Sequence, residues 1–393
     1  MTIVIVVTHL LGAGHLRRAI NLAEAIQSTG GDVTVISGGV PVEHFKTEGI
    51  NFVQLPAIKS DGTNFTHLLQ PDGTSANEDY LNKRSELLNQ HIKKLSPDVL
   101  ITELFPFGRR ILRSEFISML ELTSTFVKRP LVLASVRDIL APPSTEQKAQ
   151  KTEDLVFKYY DAVLVHADEN IIDLSASWPV SALLVEKLCY TGFVATEAIS
   201  DTNPVSIDTG RRSGGVLVSA GSGSVGFDIY KSAVQAAALR TDWHWHVLVG
   251  GSDADEQVGQ LRKMVSSTNI DIEPVRKDFP TLLGKCTCSV SMCGYNTAID
   301  LLQTQTPGVL IPFDEGGETE QTLRAQSLAK RHDYQLLLSK ELAAKPLINT
   351  IDALNSAKSD TNSGSGTINF DGAKASVDII AGLLSKKRSL DPS

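Results

Sequence analysis

The sequence has few cysteines, and their spacing excludes two classes of protein. Only 4 of the 393 residues are cysteine, and Cys286, Cys288 and Cys293 lie close together without the paired Cys-x-x-Cys spacing of zinc sites. The pattern is not that of a disulfide framework either. We therefore expect reduced, mostly buried thiols in a cytoplasmic protein.

The sequence also lacks a long apolar run and an excess of basic residues. The apolar run 2–7 is far shorter than the roughly 18 residues of a membrane-spanning helix, and no basic segment precedes it. Lys and Arg number 37 against 45 Asp and Glu, so the net charge is −8. The basic residues form no stripe dense enough to bind along the phosphates of a polynucleotide. Nucleic acid is not an expected partner, and neither is a membrane span.

Short runs of Val, Ile and Leu alternate with segments of helical period, which is typical of parallel sheets covered by helices. The first half is predicted to contain strands at 3–7, 33–36, 52–55, 99–102, 131–136 and 162–165. The same alternation restarts after a polar segment, with predicted strands at 216–219, 246–249, 270–275, 288–292, 309–312 and 335–338.

The organisation that follows is a domain over 1–200, a linker over 201–215, a second domain over 216–370, and a helix and tail over 371–393. Two polar segments are predicted to lack regular structure. Residues 60–79 are expected to form a long loop, and 355–367 a low-complexity linker before a helix at about 372–384.

Each half opens with an apolar strand that runs into a glycine-containing turn and then a helix. The first turn spans 8–15 and the second spans 219–224. In open α/β sheets such turns lie at the carboxyl ends of strands, where ligands bind. The duplication predicts a nucleotide-type ligand in a cleft between two domains.

The segment 221–226 formally satisfies the Gly-x-Gly-x-x-Gly pattern of dinucleotide sites. That pattern also requires an acid about 20 residues later to bind the ribose. Here the next strand ends in Val249-Gly250-Gly251, and in the first turn Arg17 stands where the third glycine should be. A dinucleotide is therefore disfavoured. Two interpretations of the glycine turns stay open: backbone N–H groups that bind a phosphate, and a tight turn that binds no ligand.

Polar side chains follow several predicted strands. His15 lies at the entry of the first helix, where an imidazole is suited to accept a hydroxyl proton, and a histidine that merely caps the turn is an equal alternative. Glu103 and Arg109 follow the strand at 99–102, and Arg137 follows the strand at 131–136. All are candidates for the cleft, with a salt bridge between loops as the alternative.

The most informative region is 291–325. Ser291-Met-Cys-Gly-Tyr-Asn-Thr-Ala-Ile-Asp300 is followed by a Pro-led strand ending in Pro312-Phe313, and then by Glu320-Gln321 and Arg324-Ala325. This order resembles the donor domain of GT-B glycosyltransferases. Together with the Gly-x-Gly-His-x-Arg-Arg turn at 12–18, it is similar to the family of peptidoglycan N-acetylglucosaminyltransferases that act on a lipid-linked precursor, including predicted bacterial glycosyltransferases that share their C-terminal domain.

The resemblance implies an α/β fold of two Rossmann-like domains that face each other across a cleft, with the C-terminal helix returning to the N-terminal domain. His15 matches the family's general base, and Glu103 is added to it as a second predicted catalytic residue. Asp300 stands where the family has an acid that holds the ribose hydroxyls. Glu320 and Gln321 match a pair that binds the donor sugar, although the family usually has two amides there.

The resemblance and the glycine turns also predict further contacts. Donor contacts are expected for Gly14, Ser222, Gly223, Gly294, Asn296, Thr297 and Glu315, and acceptor or phosphate contacts for Arg17, Arg109 and Arg137.

We therefore predict a glycosyltransferase that moves a sugar from a nucleoside diphosphate donor, a uridine one by the resemblance, to a hydroxyl or amine. Inversion at the anomeric carbon is implied, and no cofactor or metal is expected because helix N-termini replace it. The acceptor can be a small molecule, a peptide or a lipid-linked compound, and the sequence does not decide among them. A homodimer is also possible, and the sequence does not decide this either. The alternatives are a sugar-nucleotide epimerase of the same architecture and a non-catalytic partner of a glycosyltransferase.

Overall fold

The computed structural model divides into two compact units. The first contains Met1–Thr196 and Ile368–Ser393, and the second contains Glu197–Thr367. The structure describes all residues except 11–12, 43–46, 48, 62–63, 196–214, 222, 316–317, 358–367 and 391–393. Apart from Gly215, the predicted linker at 201–215 lies outside the described residues.

The first unit is built on a sheet of apolar strands covered by helices. The strands are β1 (Thr2–Val7), β2 (Asp32–Gly39), β3 (Asn51–Asp61), β4 (Asn64–Leu69), β5 (Val99–Glu103), β6 (Leu131–Arg137), β7 (Ala162–His166) and β8 (Leu188–Tyr190). They lie in the order β4-β3-β2-β1-β5-β6-β7-β8. The helices are α1 (Gly14–Ser28), α2 (Glu78–Leu95), α3 (Arg113–Ser124), α4 (Glu146–Tyr159) and α5 (Ala182–Val185).

The second unit repeats this architecture on a smaller, parallel sheet. Its strands are β9 (Val216–Ser219), β10 (Trp245–Val249), β11 (Ile270–Pro274), β12 (Cys288–Ser291), β13 (Gly308–Leu310) and β14 (Tyr334–Leu336), in the order β11-β10-β9-β12-β13-β14. Its helices are α6 (Phe227–Leu239), α7 (Ala254–Met264), α8 (Phe279–Lys285), α9 (Tyr295–Gln303), α10 (Glu320–Leu328) and α11 (Ala344–Ala357). The α/β class predicted from the sequence is confirmed.

The last helix, α12 (Gly372–Leu390), belongs to the first unit, as expected. Val377, Ile380 and Leu384 pack in the core beside α1. The helix continues beyond the predicted end at 384 because its last turn is held by charge: Lys387 pairs with Asp161 and Arg388 with Asp98. Lys387 and Arg388 are charged, so the pattern of apolar residues that predicts the helix does not include them.

The segment 60–79 differs from the expected long loop. β3 continues to Asp61, and β4 pairs antiparallel with it at the sheet edge. An edge strand needs little apolar surface, and Leu68 is buried there. Asn77 belongs to the next helix, because its side chain accepts a hydrogen bond from the Tyr80 N–H and caps α2.

Both sheets have a point at which the direction of strand addition reverses. In the first unit β1 lies between β2 and β5, and in the second β9 lies between β10 and β12. Ligands in open α/β sheets bind at the carboxyl ends of strands at such a point. The candidate site of each unit is therefore expected at the ends of β1 and β5, and of β9 and β12.

A buried arginine holds the strand ends of the first unit in place. Arg84 of α2 is fully buried, and its Nε lies 2.7 Å from Oε2 of Glu115 in α3. The guanidinium also donates to the carbonyls of Gly38 and Pro56 and to Oγ1 of Thr8. Gly38 must be a glycine, because a Cβ would lie 1.9 Å from Nη2 of Arg84.

We expect Arg84→Met to lower the free energy of unfolding of the first unit by about 3–5 kcal/mol, because the Glu115 carboxylate stays buried without its partner. Urea denaturation followed by circular dichroism measures the loss. Lys128→Met is the control in the same unit; it removes an exposed ion pair with Asp98 and should cost about 0–1 kcal/mol. Equal losses in the two variants would contradict the role of Arg84.

Candidate functional site

The residues predicted to be catalytic meet at the strand reversal of the first unit. His15 is the second residue of α1, which follows β1, and Glu103 is the last residue of β5. β1 and β5 are parallel neighbours, so the segments that follow them lie side by side. His15 Nδ1 lies 2.8 Å from Glu103 Oε1.

Arg18 completes this cluster. It lies one turn after His15 on α1 and donates to the same carboxylate oxygen, Oε1 of Glu103. Arg18 and Glu103 are both buried, and His15 is nearly so. No role was predicted for Arg18 from the sequence, although a spacing of three residues on a helix places the side chains of His15 and Arg18 on one face.

Burial, together with the charges of this cluster, determines the protonation of His15. Burial by itself would raise the pKa of Glu103, but the charge of Arg18 and the hydrogen bond from His15 hold that pKa well below its usual range. The pKa of His15 is lowered to about 3, mainly by burial and also by the charges of Arg109 and Arg137, against the raising effect of Glu103. The pair is therefore a neutral imidazole beside a carboxylate.

This protonation state defines which nitrogen of His15 can react. The ionised carboxylate can only accept hydrogen bonds, and it lies nearer to Nδ1 than the Arg18 Nη2 donor does, at 2.8 Å against 3.1 Å. We therefore assign the proton to Nδ1. Nε2 is then the unprotonated nitrogen and can take a proton from a ligand.

The three arginines predicted as acceptor or phosphate contacts lie near this pair. Arg109 follows β5 with a φ of 56°, and its Nε donates to the carbonyl of Thr8. Arg137 ends β6, and Arg17 is half-buried on α1. Burial lowers the pKa of Arg109 to about 10, and the guanidinium stays charged at neutral pH.

Two polar residues that the sequence analysis missed continue the cluster into the sheet. Ser135 of β6 lies 2.6 Å from Oε2 of Glu103, and His166 of β7 lies 2.9 Å from the Ser135 hydroxyl. Both are buried in otherwise apolar strands. A polar residue inside an apolar strand was the available signal.

In the second unit, the turn after β9 is shaped by glycines with positive φ. Gly221 has a φ of 84° and Gly226 a φ of 102°, and Gly223 is exposed between them. Ser222, a predicted donor contact, lies outside the described residues. The Tyr230 hydroxyl accepts from the N–H groups of Ala220 and Gly250, which ties this turn to the end of β10.

The neighbouring strand β12 leads directly into α9. Gly294 is the residue before the helix, Asn296 and Thr297 lie in its first turn, and Asp300 lies one turn later. In the described part of the chain, the Asp300 carboxyl group has no hydrogen-bond partner, and burial raises its pKa to about 6. An unpaired, half-buried acid is available to hydroxyl donors of a ligand.

The predicted sugar contacts begin α10. Oε1 of Gln321 accepts from the N–H groups of Cys293 and Phe313, at 3.1 and 3.2 Å. Glu320 is paired with the fully buried Arg324, at 2.9 Å between Oε1 and Nη2. Glu315 is exposed before the helix. The structure thus brings Gln321 to the ends of β12 and β13. Among the described residues, the side chain of Glu315 makes no hydrogen bond to them.

Residues 216–376 match the family model of the glycosyltransferase family 28 C-terminal domain. A UDP-N-acetylglucosamine--N-acetylmuramyl-(pentapeptide) pyrophosphoryl-undecaprenol N-acetylglucosamine transferase of Listeria welshimeri is 24% identical over 241 residues. That match covers 59% of this chain and 63% of the relative, so this chain matches less than two thirds of the relative's length.

Solved structures share the fold over nearly the whole chain. MurG of Acinetobacter baumannii has a TM-score of 0.64 at 13% identity and covers 97% of this chain and 100% of its own. The calicheamicin glycosyltransferase CalG4 has a TM-score of 0.63 at 14% identity and covers 98% of both chains. The fold is that of GT-B glycosyltransferases. Among the described residues, no helix is both long and apolar enough to cross a bilayer.

We expect His15 to remain neutral far below the pH at which an ordinary histidine titrates, because its pKa is lowered to about 3 by burial. The measurement is a histidine NMR titration from pH 7.5 to the acid limit of the folded state, with His15→Gln to assign the resonance. A titration midpoint near 6.5 would show that the imidazole is not buried as the structure describes.

Proposed function

We propose that this chain, a GT-B protein whose residues 216–376 match the glycosyltransferase family 28 C-terminal domain, transfers a sugar from a nucleoside diphosphate donor to an acceptor hydroxyl or amine. The observation that carries the proposal is the buried pair of His15 and Glu103 at the strand reversal of the first unit. It supplies an oriented proton acceptor, which the attack of a hydroxyl requires.

In the proposed reaction the acceptor oxygen attacks the anomeric carbon of the donor sugar. His15 Nε2 takes the acceptor proton as the new C–O bond forms, and the bond between the anomeric carbon and the phosphate oxygen breaks. The nucleoside diphosphate leaves with the bonding electron pair. A single displacement of this kind inverts the anomeric carbon. Glu103 stabilises the imidazolium that forms, because its carboxylate lies 2.8 Å from Nδ1.

The donor diphosphate is assigned to the turn after β9 and to the N-terminus of α9. Gly223 and Gly294 allow a phosphate to approach the backbone closely, and Asn296 and Thr297 add polar side chains in the first turn of α9. A helix N-terminus offers unpaired N–H groups and a partial positive charge to an anion. We propose that these groups stabilise the departing diphosphate without a metal ion.

Recognition of the rest of the donor is assigned to Asp300, Glu320 and Gln321. The unpaired carboxyl group of Asp300 is suited to accept from ribose hydroxyls. Glu320 can only accept from a sugar hydroxyl when ionised, and Gln321 offers its amide nitrogen because its oxygen is already bound. The name of the Listeria relative specifies a uridine diphosphate sugar, and we propose the same nucleotide here.

The first test is turnover. A panel of uridine diphosphate sugars is screened for release of uridine diphosphate, and the best donor is used with wild type and His15→Ala. We expect the variant to lose about 100-fold to 10,000-fold in kcat while it keeps its affinity for uridine diphosphate. Full turnover by His15→Ala would refute the proposal, and an epimerised donor as the product would favour an epimerase instead.

The second test is nucleotide binding by calorimetry in EDTA. We expect preferential binding of uridine diphosphate over the adenosine and guanosine compounds, and a loss of roughly tenfold to 100-fold in Asp300→Ala. The matched control is Asp255→Ala, which removes an exposed acid in the first turn of α7. An equal loss in both variants, or binding only with added metal, would contradict the assignment.

The third test is the pH dependence of that binding. Because burial raises the pKa of Asp300 to about 6, the carboxylate that accepts from ribose is present above this pH and is lost below it. Affinity for uridine diphosphate should therefore fall about tenfold between pH 7.5 and pH 5. Asp300→Asn should show a flat profile over the same range. The same fall in Asp300→Asn would assign the titration to another group.

A further inference from the structure

We propose that Ser135 and His166 are positioning residues that hold the Glu103 carboxylate, and through it the reactive form of His15. The inference rests on the proposed function, because it assigns these residues a part in the work of His15 as a base. They lie outside the predicted site and do not face a ligand, since both are buried in the strands β6 and β7.

The chain of contacts is continuous across three neighbouring strands. Ser135 Oγ lies 2.6 Å from Glu103 Oε2, His166 Nε2 lies 2.9 Å from Ser135 Oγ, and Thr191 Oγ1 lies 2.9 Å from His166 Nδ1. Each of these residues is at most 2% exposed. The pairing of β5 with β6 and of β6 with β7 sets the spacing, and Glu103 is directly opposite Ser135.

The positions of the protons on Ser135 and on His166 Nε2 follow from the charge of Glu103. An ionised carboxylate has no proton to give, so the single hydroxyl proton of Ser135 points to Oε2. The Ser135 oxygen can then only accept, and His166 must present Nε2–H to it. His166 is neutral, because burial lowers its pKa to about 3. Its Nδ1 lies 2.9 Å from Oγ1 of Thr191, whose hydroxyl also lies 2.9 Å from the carbonyl oxygen of Gly192.

The arrangement predicts opposite tautomers for the two histidines. His15 carries its proton on Nδ1, whereas His166 carries its proton on Nε2. With the other tautomer, the bare Nε2 of His166 would compete with Glu103 for the hydroxyl proton of Ser135. The tautomer of His166 therefore keeps Ser135 donating to Glu103.

Ser135 matters because it binds the oxygen that His15 does not use. Oε1 of Glu103 is held by His15 and Arg18, and Oε2 is held by Ser135. With both oxygens bound, the carboxylate cannot rotate, and His15 Nδ1 keeps a fixed acceptor. Without the Ser135 hydroxyl the carboxylate can turn about its own axis, and the orientation of the imidazole is held less firmly.

Other charged groups face the pair and are part of the same field. Arg18 comes from α1, Arg109 from the segment after β5, and Arg137 from the end of β6. None of them is altered by the substitutions below, so a change in the behaviour of His15 can be assigned to the buried chain.

The experiment combines nitrogen-15 NMR of labelled histidines with steady-state kinetics. In wild type we expect His15 as the Nδ1–H form and His166 as the Nε2–H form, with His15→Gln and His166→Gln used to assign the resonances. Finding His166 as the Nδ1–H form would overturn the proposal, whether or not the protein turns over a sugar donor.

Ser135→Ala is the central variant. We expect an increased fraction of the Nε2–H form of His15 and a loss of about tenfold in kcat for release of uridine diphosphate from the best donor, with nucleotide affinity unchanged. Ser135→Thr keeps the hydroxyl and should recover most of the activity. The matched control is Ser37→Ala, because Ser37 is a buried serine of β2 whose hydroxyl has no hydrogen-bond partner among the described residues.

His166 gives an independent comparison if Ser135→Ala does not fold. His166→Gln keeps an N–H donor for Ser135 and should resemble wild type, whereas His166→Leu removes it and should resemble the expected Ser135→Ala. Wild-type tautomers and wild-type kcat in Ser135→Ala, or in His166→Leu, would overturn the proposal. Neither result decides the proposed function, which is tested separately by the loss of turnover in His15→Ala.

Discussion

The buried Glu103 carboxylate ties three elements of the first unit together, β5, α1 and β6. Removing an ionised carboxylate from water costs several kcal/mol, and Glu103 is only 2% exposed. The cost is offset by donors from two different elements, His15 and Arg18 on α1 and Ser135 on β6. Neither α1 nor β6 can shift against β5 without leaving this charge unpaired. The contacts that stabilise the fold at this point are therefore also the contacts that set the tautomer of His15.

Burial acts on the two candidate sites in opposite directions, and both outcomes suit the proposed chemistry. It disfavours the cation of His15, so the imidazole stays neutral and can accept a proton. It disfavours the anion of Asp300, so that carboxyl group is half protonated near pH 6. Within the described segments it has no hydrogen-bond partner. A ligand that brings hydroxyl donors to Asp300 would favour its ionised form. The first site is complete without a ligand, whereas the second gains its hydrogen bonds from one.

The architecture was predictable because apolar runs mark buried parallel strands and glycine turns mark their carboxyl ends. His15 and Glu103 could be placed at two such ends. Their contact could not be predicted from local pattern, since they are 88 residues apart and meet only because β1 pairs with β5. Arg18 was within reach through its helical spacing from His15, but Ser135 and His166 were not, because a polar residue in an apolar strand does not reveal which neighbour it binds.

Glu320, at the start of α10, carries a charge that Arg324 of the same helix neutralises. An acid at Glu320, where the resembling family usually has an amide, brings a charge that needs a partner, and the fully buried Arg324 one turn later needs one as well. Arg324 also donates to the carbonyl of Cys293, which ties α10 to the end of β12. The two charges therefore stabilise each other and the position of the helix.

This arrangement also sets the direction of hydrogen bonds in the proposed donor complex. A sugar hydroxyl both donates and accepts, and a free amide can meet it in either orientation. Here Oε1 of Gln321 is held by the N–H groups of Cys293 and Phe313, so only the amide nitrogen can face a ligand. Glu320, ionised beside Arg324, can only accept. A hydroxyl bound by both must accept from Gln321 and donate to Glu320, and a group that lacks a proton to donate would leave the Glu320 carboxylate without a partner from the ligand.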